Sequence, residues 1–296
     1  IILFLLCFLL GSSFSTFAQG RDREIKISRQ QESPVKTVKV RGKGKIKNVV
    51  FMIGDGMSLA HMYSTWAANK GKLNLENCQT VGLAKTYCCD RLITDSGAAG
   101  TALATGHKTR YHAVGVDPEG KPLLTLTDLA AAKSKSTGVV VTCRLNDATP
   151  AAFCAHNSDR DQAEALIADY AGCGVDFIFG GGKRYFCERK DGRNILEEMK
   201  ALGYQTPENQ EQLNAIQTGK VLAVWADHDL PRPSVRKEML TESTMKALEL
   251  LSQNKKGFFL MVEASQIDDY GHANQLDPLV EEILDFDRTI GKVFEW

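Results

Sequence analysis

The stretch Lys47-Asn48-Val49-Val50-Phe51-Met52-Ile53-Gly54-Asp55-Gly56 decides the fold. A short, apolar, β-branched run that stops at a Gly-Asp-Gly loop has the form of a buried strand. The same grammar recurs at Gly138-Val139-Val140-Val141-Thr142, Val175-Asp176-Phe177-Ile178-Phe179, Val221-Leu222-Ala223-Val224 and Gly257-Phe258-Phe259-Leu260-Met261-Val262. Helical patterns lie between these runs. Ser158 or Asp159 is expected to cap a helix running through Ala171, and Thr241 to Gln253 carries Met245, Leu248 and Leu251 at helical spacing. Asp277-Pro278 opens a helix with Val280, Ile283, Leu284 and Ile290 on one face. Strands alternating with helices imply an α/β fold: a three-layer α/β/α sandwich around a mainly parallel central sheet. Ligands in such folds bind beyond the carboxyl ends of the strands. Asp55 and Glu263 fall at two such ends, and Asp147 and Thr149 follow a third.

The chain of 296 residues is 43% hydrophobic and 24% charged, enough to bury a full core and too apolar for a disordered or fibrous protein. Lys plus Arg equals Asp plus Glu at 36 each, so no global field favours nucleic acid or a membrane surface. An anionic substrate must therefore be held locally.

Ile1 to Phe17 is an apolar run followed by Thr16-Phe17-Ala18, the small-residue pattern that precedes a signal-peptidase cut. Residues 1–18 are therefore expected to be a signal peptide on an exported, periplasmic or secreted protein. The apolar core is shorter than the ~20 residues of a membrane span, so no stable anchor is expected after cleavage. Residues 19–46 form a charged leader, and 47–296 the α/β domain. Cys78, Cys88, Cys89, Cys143, Cys154, Cys173 and Cys187 follow the expected cut. Their number is odd, so at least one is free or pairs between chains. No CxxC spacing suggests a thiolate zinc site, and Cys143 and Cys154 read as buried free thiols.

Several residues are open to two readings each. In Thr94-Asp95-Ser96-Gly97-Ala98-Ala99-Gly100-Thr101-Ala102, Ser96 is either an N-cap or a nucleophile favoured by a helix N-terminus, and the small residues after it permit close approach of other groups. Asp55 is a turn residue or an ion ligand, and so is Asp147 in Asp147-Ala148-Thr149-Pro150. Glu263 ends an otherwise apolar strand, where a carboxylate is costly unless paired, capped or metal-bound. Asp268 and His272 share one face of a helical turn, a pairing that suits zinc better than magnesium. Arg160 is a surface arginine or a planar fork for two phosphate oxygens.

The stretches NVVFMIGDGM, TDSGAAGTALATGHKT, DATPAAFCAHNSDR and FFLMVEASQIDDYGH resemble, in order, the signature segments of the alkaline phosphatase family. The resemblance implies a metal-dependent phosphomonoester hydrolase using two Zn2+ and one Mg2+, with small phosphomonoesters and inorganic phosphate as ligands and a homodimer as the candidate assembly. It makes Ser96 the nucleophile that becomes phosphoserine, and Arg160 the phosphate clamp. Asp55 would bridge one zinc, which Ser96 also meets, and the magnesium. Thr149 and Glu263 would complete the magnesium ligands, Asp268 and His272 would hold the other zinc, and Asp147 would orient magnesium-bound water.

The resemblance places further zinc ligands, an Asp-His pair and another histidine, beyond Trp296. The sequence as it stands is thus expected to be a fragment that binds zinc weakly and turns over little substrate. Asp269 departs from the basic or aromatic residue often found there in the family. An acid at that position is expected to weaken phosphate binding or alter metal preference, and its replacement by Lys or Trp to lower the phosphate inhibition constant. His61, His107, His112, His156 and His228 match no ligand position. The competing readings are a phosphodiesterase or other hydrolase of the same superfamily, or a non-catalytic phosphate- or metal-binding protein. A sulfatase would need a CxPxR-like setting, which Ser96 lacks.

Overall fold

In the computed structural model, residues 33–37 and 45–296 are described. The expected signal peptide, and residues 19–32 and 38–44 of the leader, lie outside them. Six strands form one sheet: β1 (Val49–Gly54), β2 (Ser136–Arg144), β3 (Phe177–Gly181), β4 (Tyr204–Gln205), β5 (Lys220–Val224) and β6 (Phe258–Ala264). Their spatial order is β1-β6-β2-β3-β5-β4, and every pairing is parallel. Five of the six were legible as apolar runs. The two-residue β4 was not, because so short an edge strand carries no periodicity.

Helices cover both faces. One layer holds α2 (Ser96–Thr105), α3 (Leu126–Ala132), α4 (Ala148–Ala151), α5 (Ala163–Cys173), α6 (Lys183–Cys187) and α7 (Ile195–Ala201). The other holds α1 (Leu59–Ala68), α8 (Gln210–Ala215), α9 (Pro233–Arg236), α10 (Met239–Leu251), α11 (Gln266–His272) and α12 (Leu276–Glu295). Alternate strand residues serve the two layers, as a pleated strand requires. Val139, Val141, Cys143, Phe259 and Met261 join the core with Phe153, Leu166, Ile167 and Tyr170. Thr142, on the opposite face, donates a hydrogen bond to Glu282 of α12 at 3.2 Å.

Helix starts shifted where local chemistry competed. The expected cap at Ser158 or Asp159 gives way to Gln162, because Asp159 spends its carboxylate on the Asp161 N–H and the Gln162 side chain in a preceding turn. Part of the leader packs on this unit: Ser33 donates its N–H to Asn69 at 3.2 Å, and Lys36 pairs with Glu295 at 2.8 Å. All seven cysteines of the described residues are free, with Cys143 and Cys154 buried as expected.

Candidate active site at the strand ends

The register Ile53↔Glu263↔Val141 brings the ends of β1, β6 and β2 side by side. Strand β6 lies between the other two, so Asp55, Glu263 and the Asp147–Thr149 turn become neighbours although more than two hundred residues separate the first from the second. Gly56 closes the β1 loop at φ +61°, and a Cβ there would stand 2.3 Å from Asp268 Oδ1. Only glycine allows the loop to meet α11.

Ser96 is the first residue of α2, and the cap is Asp95, whose carboxylate accepts the N–H groups of Gly97 and Ala98 at 3.1 and 3.2 Å. The N-cap reading of Ser96 is therefore wrong. An aspartate caps at least as well, which frees the serine hydroxyl. That hydroxyl donates to Asp55 Oδ2 at 3.0 Å, and the Thr149 hydroxyl donates to the same oxygen at 3.3 Å. The small residues of α2 have a visible purpose: a Cβ on Gly100 would lie 3.2 Å from Thr149 Cα.

Asp147 caps the one-turn helix α4, and its carboxylate reaches two arginines, Arg160 at 3.0 Å and Arg144 at 3.0 Å. Arg160 also pairs with Asp95 at 3.1 Å. Its guanidinium is thus a half-buried fork held against the residue that precedes the serine, and burial, which disfavours its charge, is outweighed by Asp147 and Asp95. Burial likewise raises Asp95, but the N–H groups of His112 and Ala98 and the Arg160 contact prevail and hold it below the usual carboxylate range.

The remaining carboxylates are less fully compensated. Glu263 is 1% exposed, and its Oε1 has no hydrogen-bond partner. Burial, then Asp55 and Asp147, push its carboxyl well above the ordinary range. Burial and Asp268 raise Asp55 despite its two hydroxyl donors. Asp268 Oδ2 lies 3.3 Å from His272 Nε2 on the shared face of α11, and that imidazole is exposed. Asp269 is half-buried, and burial, Asp229 and Asp147 push it up to about 6, with Arg144 opposing.

Buried, mutually repelling carboxylates with an orphaned oxygen are a donor set for cations, and the hydroxyls of Ser96 and Thr149 extend it with the hard oxygens that magnesium takes. Among the described residues, the grouping of three His, Cys, Asp or Glu ligand atoms within 4.8 Å of one another is His112, Asp159 and Asp161, at the surface. The imidazole of His156 contacts Leu123 O at 3.0 Å, and His61 shares a capping box with Ser58.

Reasoning along the chain missed three residues around Arg160. The cap preference of Asp95 carried a signal. Arg144 and Asp229 carried none, since their pairing joins β2 to a loop 85 residues on.

The family model for alkaline phosphatase matches residues 46–296. Alkaline phosphatase 4 of Bacillus subtilis is 37% identical over 90% of this chain and 61% of its own length, and alkaline phosphatase of Escherichia coli is 30% identical over 84% and 66%. The alkaline phosphatase of the Antarctic bacterium TAB5 superposes with a TM-score of 0.82 at 34% identity, covering 84% of this chain and 74% of that one. A variant of it with magnesium bound in its M3 site superposes at 0.80 with 33% identity, covering 88% and 74%. The chain spans about three fifths of the length of alkaline phosphatases 4 and 3 of Bacillus subtilis. With four motifs in order, a parallel sheet of the same fold and a match across residues 46–296, the chain belongs to the alkaline phosphatase family.

Proposed function

We propose that these residues hydrolyse phosphomonoesters by way of a phosphoserine at Ser96. The observation that carries this reading is the Ser96 hydroxyl donating at 3.0 Å to a carboxylate, Asp55, that belongs to an undercompensated acidic cluster. Two Zn2+ and one Mg2+ would draw part of their ligands from that cluster. Asp55 and Ser96 would meet one zinc, Asp268 and His272 the other, and Asp55, Thr149 and Glu263 the magnesium, with Asp147 orienting its water. When bound, such ions lower the pKa of hydroxyl and water nucleophiles and neutralise phosphoryl oxygens.

The chain's own side chains supply the rest. Asp55 takes the hydrogen bond of the Ser96 hydroxyl and so directs its lone pair away from the β1 loop. The N-terminus of α2, with Asp95 occupying only two of its N–H groups, places a positive dipole end beneath the serine oxygen. Arg160 offers a planar fork to two phosphoryl oxygens, and Asp95 and Asp147 hold that fork in place before substrate arrives. Attack by Ser96 on phosphorus expels the alcohol, and water then releases phosphate from the phosphoserine.

Export forms part of the proposal and rests on the apolar run before Ala18. A mature N-terminus at Gln19 supports it, and a protein that stays inside the cell with residues 1–18 attached argues against it. Small phosphomonoesters and inorganic phosphate are the proposed ligands, and a homodimer the proposed assembly.

The test is hydrolysis of p-nitrophenyl phosphate by the full-length protein with zinc and magnesium. Ser96→Ala is expected to lower kcat by at least about a thousandfold, the range seen when a nucleophile is removed. Equal rates from the two proteins would remove Ser96 from the reaction. A wild type that prefers bis(p-nitrophenyl) phosphate would favour a phosphodiesterase.

A further inference from the structure

Five side chains of alternating charge run through the site: Asp229, Arg144, Asp147, Arg160 and Asp95. Asp229 accepts from Arg144 Nη1 at 3.2 and 3.1 Å, and also from the Arg144 backbone N–H at 2.8 Å. Arg144 Nη2 reaches Asp147 Oδ2 at 3.0 Å. The other oxygen of Asp147 takes Arg160 Nη2 at 3.0 Å, and Arg160 Nη1 takes Asp95 at 3.1 Å. Asp147, the acid between the two arginines, spends one oxygen on each.

The outer end of this row is built rigidly. Asp229 lies in the loop after β5, where Leu230 donates its N–H to Thr142 O at 3.0 Å and His228 O accepts from Gly182 at 2.8 Å. Gly181 permits that contact, since a Cβ there would stand 2.0 Å from His228 O. Arg144 at the end of β2 is therefore held from two sides, and its fork cannot swing away without breaking both pairs.

We infer that Arg144, fixed by Asp229, is a positioning residue for the phosphate clamp: by occupying Oδ2 of Asp147 it limits the hold of Asp147 on Arg160. The inference rests on the phosphomonoesterase reading of the site. A carboxylate paired with one guanidinium alone attracts it more strongly than one shared between two, because the second cation offsets part of its field. Without Arg144, Asp147 turns its whole charge on Arg160 and competes with the substrate phosphoryl group for the same N–H donors. One positive charge is also lost from a site that must receive an anion and that already contains Asp269 beside Asp147 and Asp229.

The two effects separate in a double-mutant cycle. Inorganic phosphate is titrated calorimetrically into the full-length, zinc- and magnesium-loaded protein. Arg144→Met is expected to weaken phosphate binding about tenfold, equivalent to about 1.4 kcal/mol. In the Asp147→Asn background the same change is expected to alter Kd less than about twofold, because the competing carboxylate is gone. Arg144→Lys, a point charge without the fork, should fall between wild type and Arg144→Met. Asp229→Asn, which leaves Arg144 in place but loosened, is expected to weaken binding about threefold and serves if Arg144→Met does not fold.

Wild-type affinity in both Arg144→Met and Asp229→Asn overturns the inference. An equal loss with and without the Asp147 carboxylate overturns it too, since Arg144 would then act on phosphate directly. A wild-type protein that binds no phosphate overturns the phosphomonoesterase reading and this inference with it.

Discussion

Two clusters of acids, one packed against a face of the sheet and one at its strand ends, end differently. Between α9 and α12, Glu282 and Asp285 are buried around Arg236, with contacts of 2.8 and 2.7 Å. All four of their carboxylate oxygens have partners, because Arg236 Nη1, Thr142 and Arg288 take the rest. At the strand ends, Asp55, Glu263 and Asp268 share no arginine, and Glu263 keeps an oxygen with no partner at all. In the first cluster every carboxylate oxygen is satisfied within the protein, although Arg236 Nε has no hydrogen-bond partner. In the second they are not, and under the proposed function cations would satisfy them; that difference is the one expected between an acid group that holds the fold and one that holds a ligand.

The comparison can be broken most forcefully at Arg236. Arg236→Met strands two buried charges and is expected to cost about 3–5 kcal/mol in urea unfolding, with or without chelator. A loss below about 1 kcal/mol, the value of a surface pair, would show that this cluster is not the self-sufficient one. Glu263→Gln should behave in the opposite sense. In chelator-treated protein it removes an uncompensated charge and is expected to leave stability equal or raised, while magnesium affinity falls about tenfold or more, as loss of an important ligand interaction would produce. Clear destabilisation of the metal-free protein would mean that Glu263 is satisfied by protein groups after all.

The smallest effect lies in pH. Asp269 is raised from 3.8 to about 6, so the folded chain holds its proton more tightly than the unfolded chain. The stability this contributes is fully present below pH 3.8 and is lost as pH rises through about 6. Because the group is only half-buried, solvent screening reduces the expected loss to the order of 1 kcal/mol. Metal-free Asp269→Asn is accordingly expected to show a flatter stability profile between pH 4 and 7 than wild type; identical slopes would show that Asp269 is not the titrating group.

Much of this could be read along the chain. Five strands announced themselves because strands buried on both faces are apolar throughout, and a mainly parallel sheet followed from their alternation with helices; the pairings proved parallel throughout. Glu263 was conspicuous as a charge at the end of such a run, and Asp268 with His272 by their spacing. The two-residue β4, the start of α5 and the cap at Asp95 were lost or misplaced. Each depends on one or two hydrogen bonds that compete with local propensity.

By itself, then, the amino-acid sequence determined the layers, the family and which residue types wait at each strand end, since periodicity and motif order are local properties. Only the tertiary structure decided that β6 inserts between β1 and β2, that Asp55 receives the Ser96 hydroxyl, and that Asp147 is divided between Arg160 and Arg144. The physical reason is distance along the chain. Pairings between residues such as Arg144 and Asp229 form because the folded sheet brings their loops together, and no periodicity in the sequence records them.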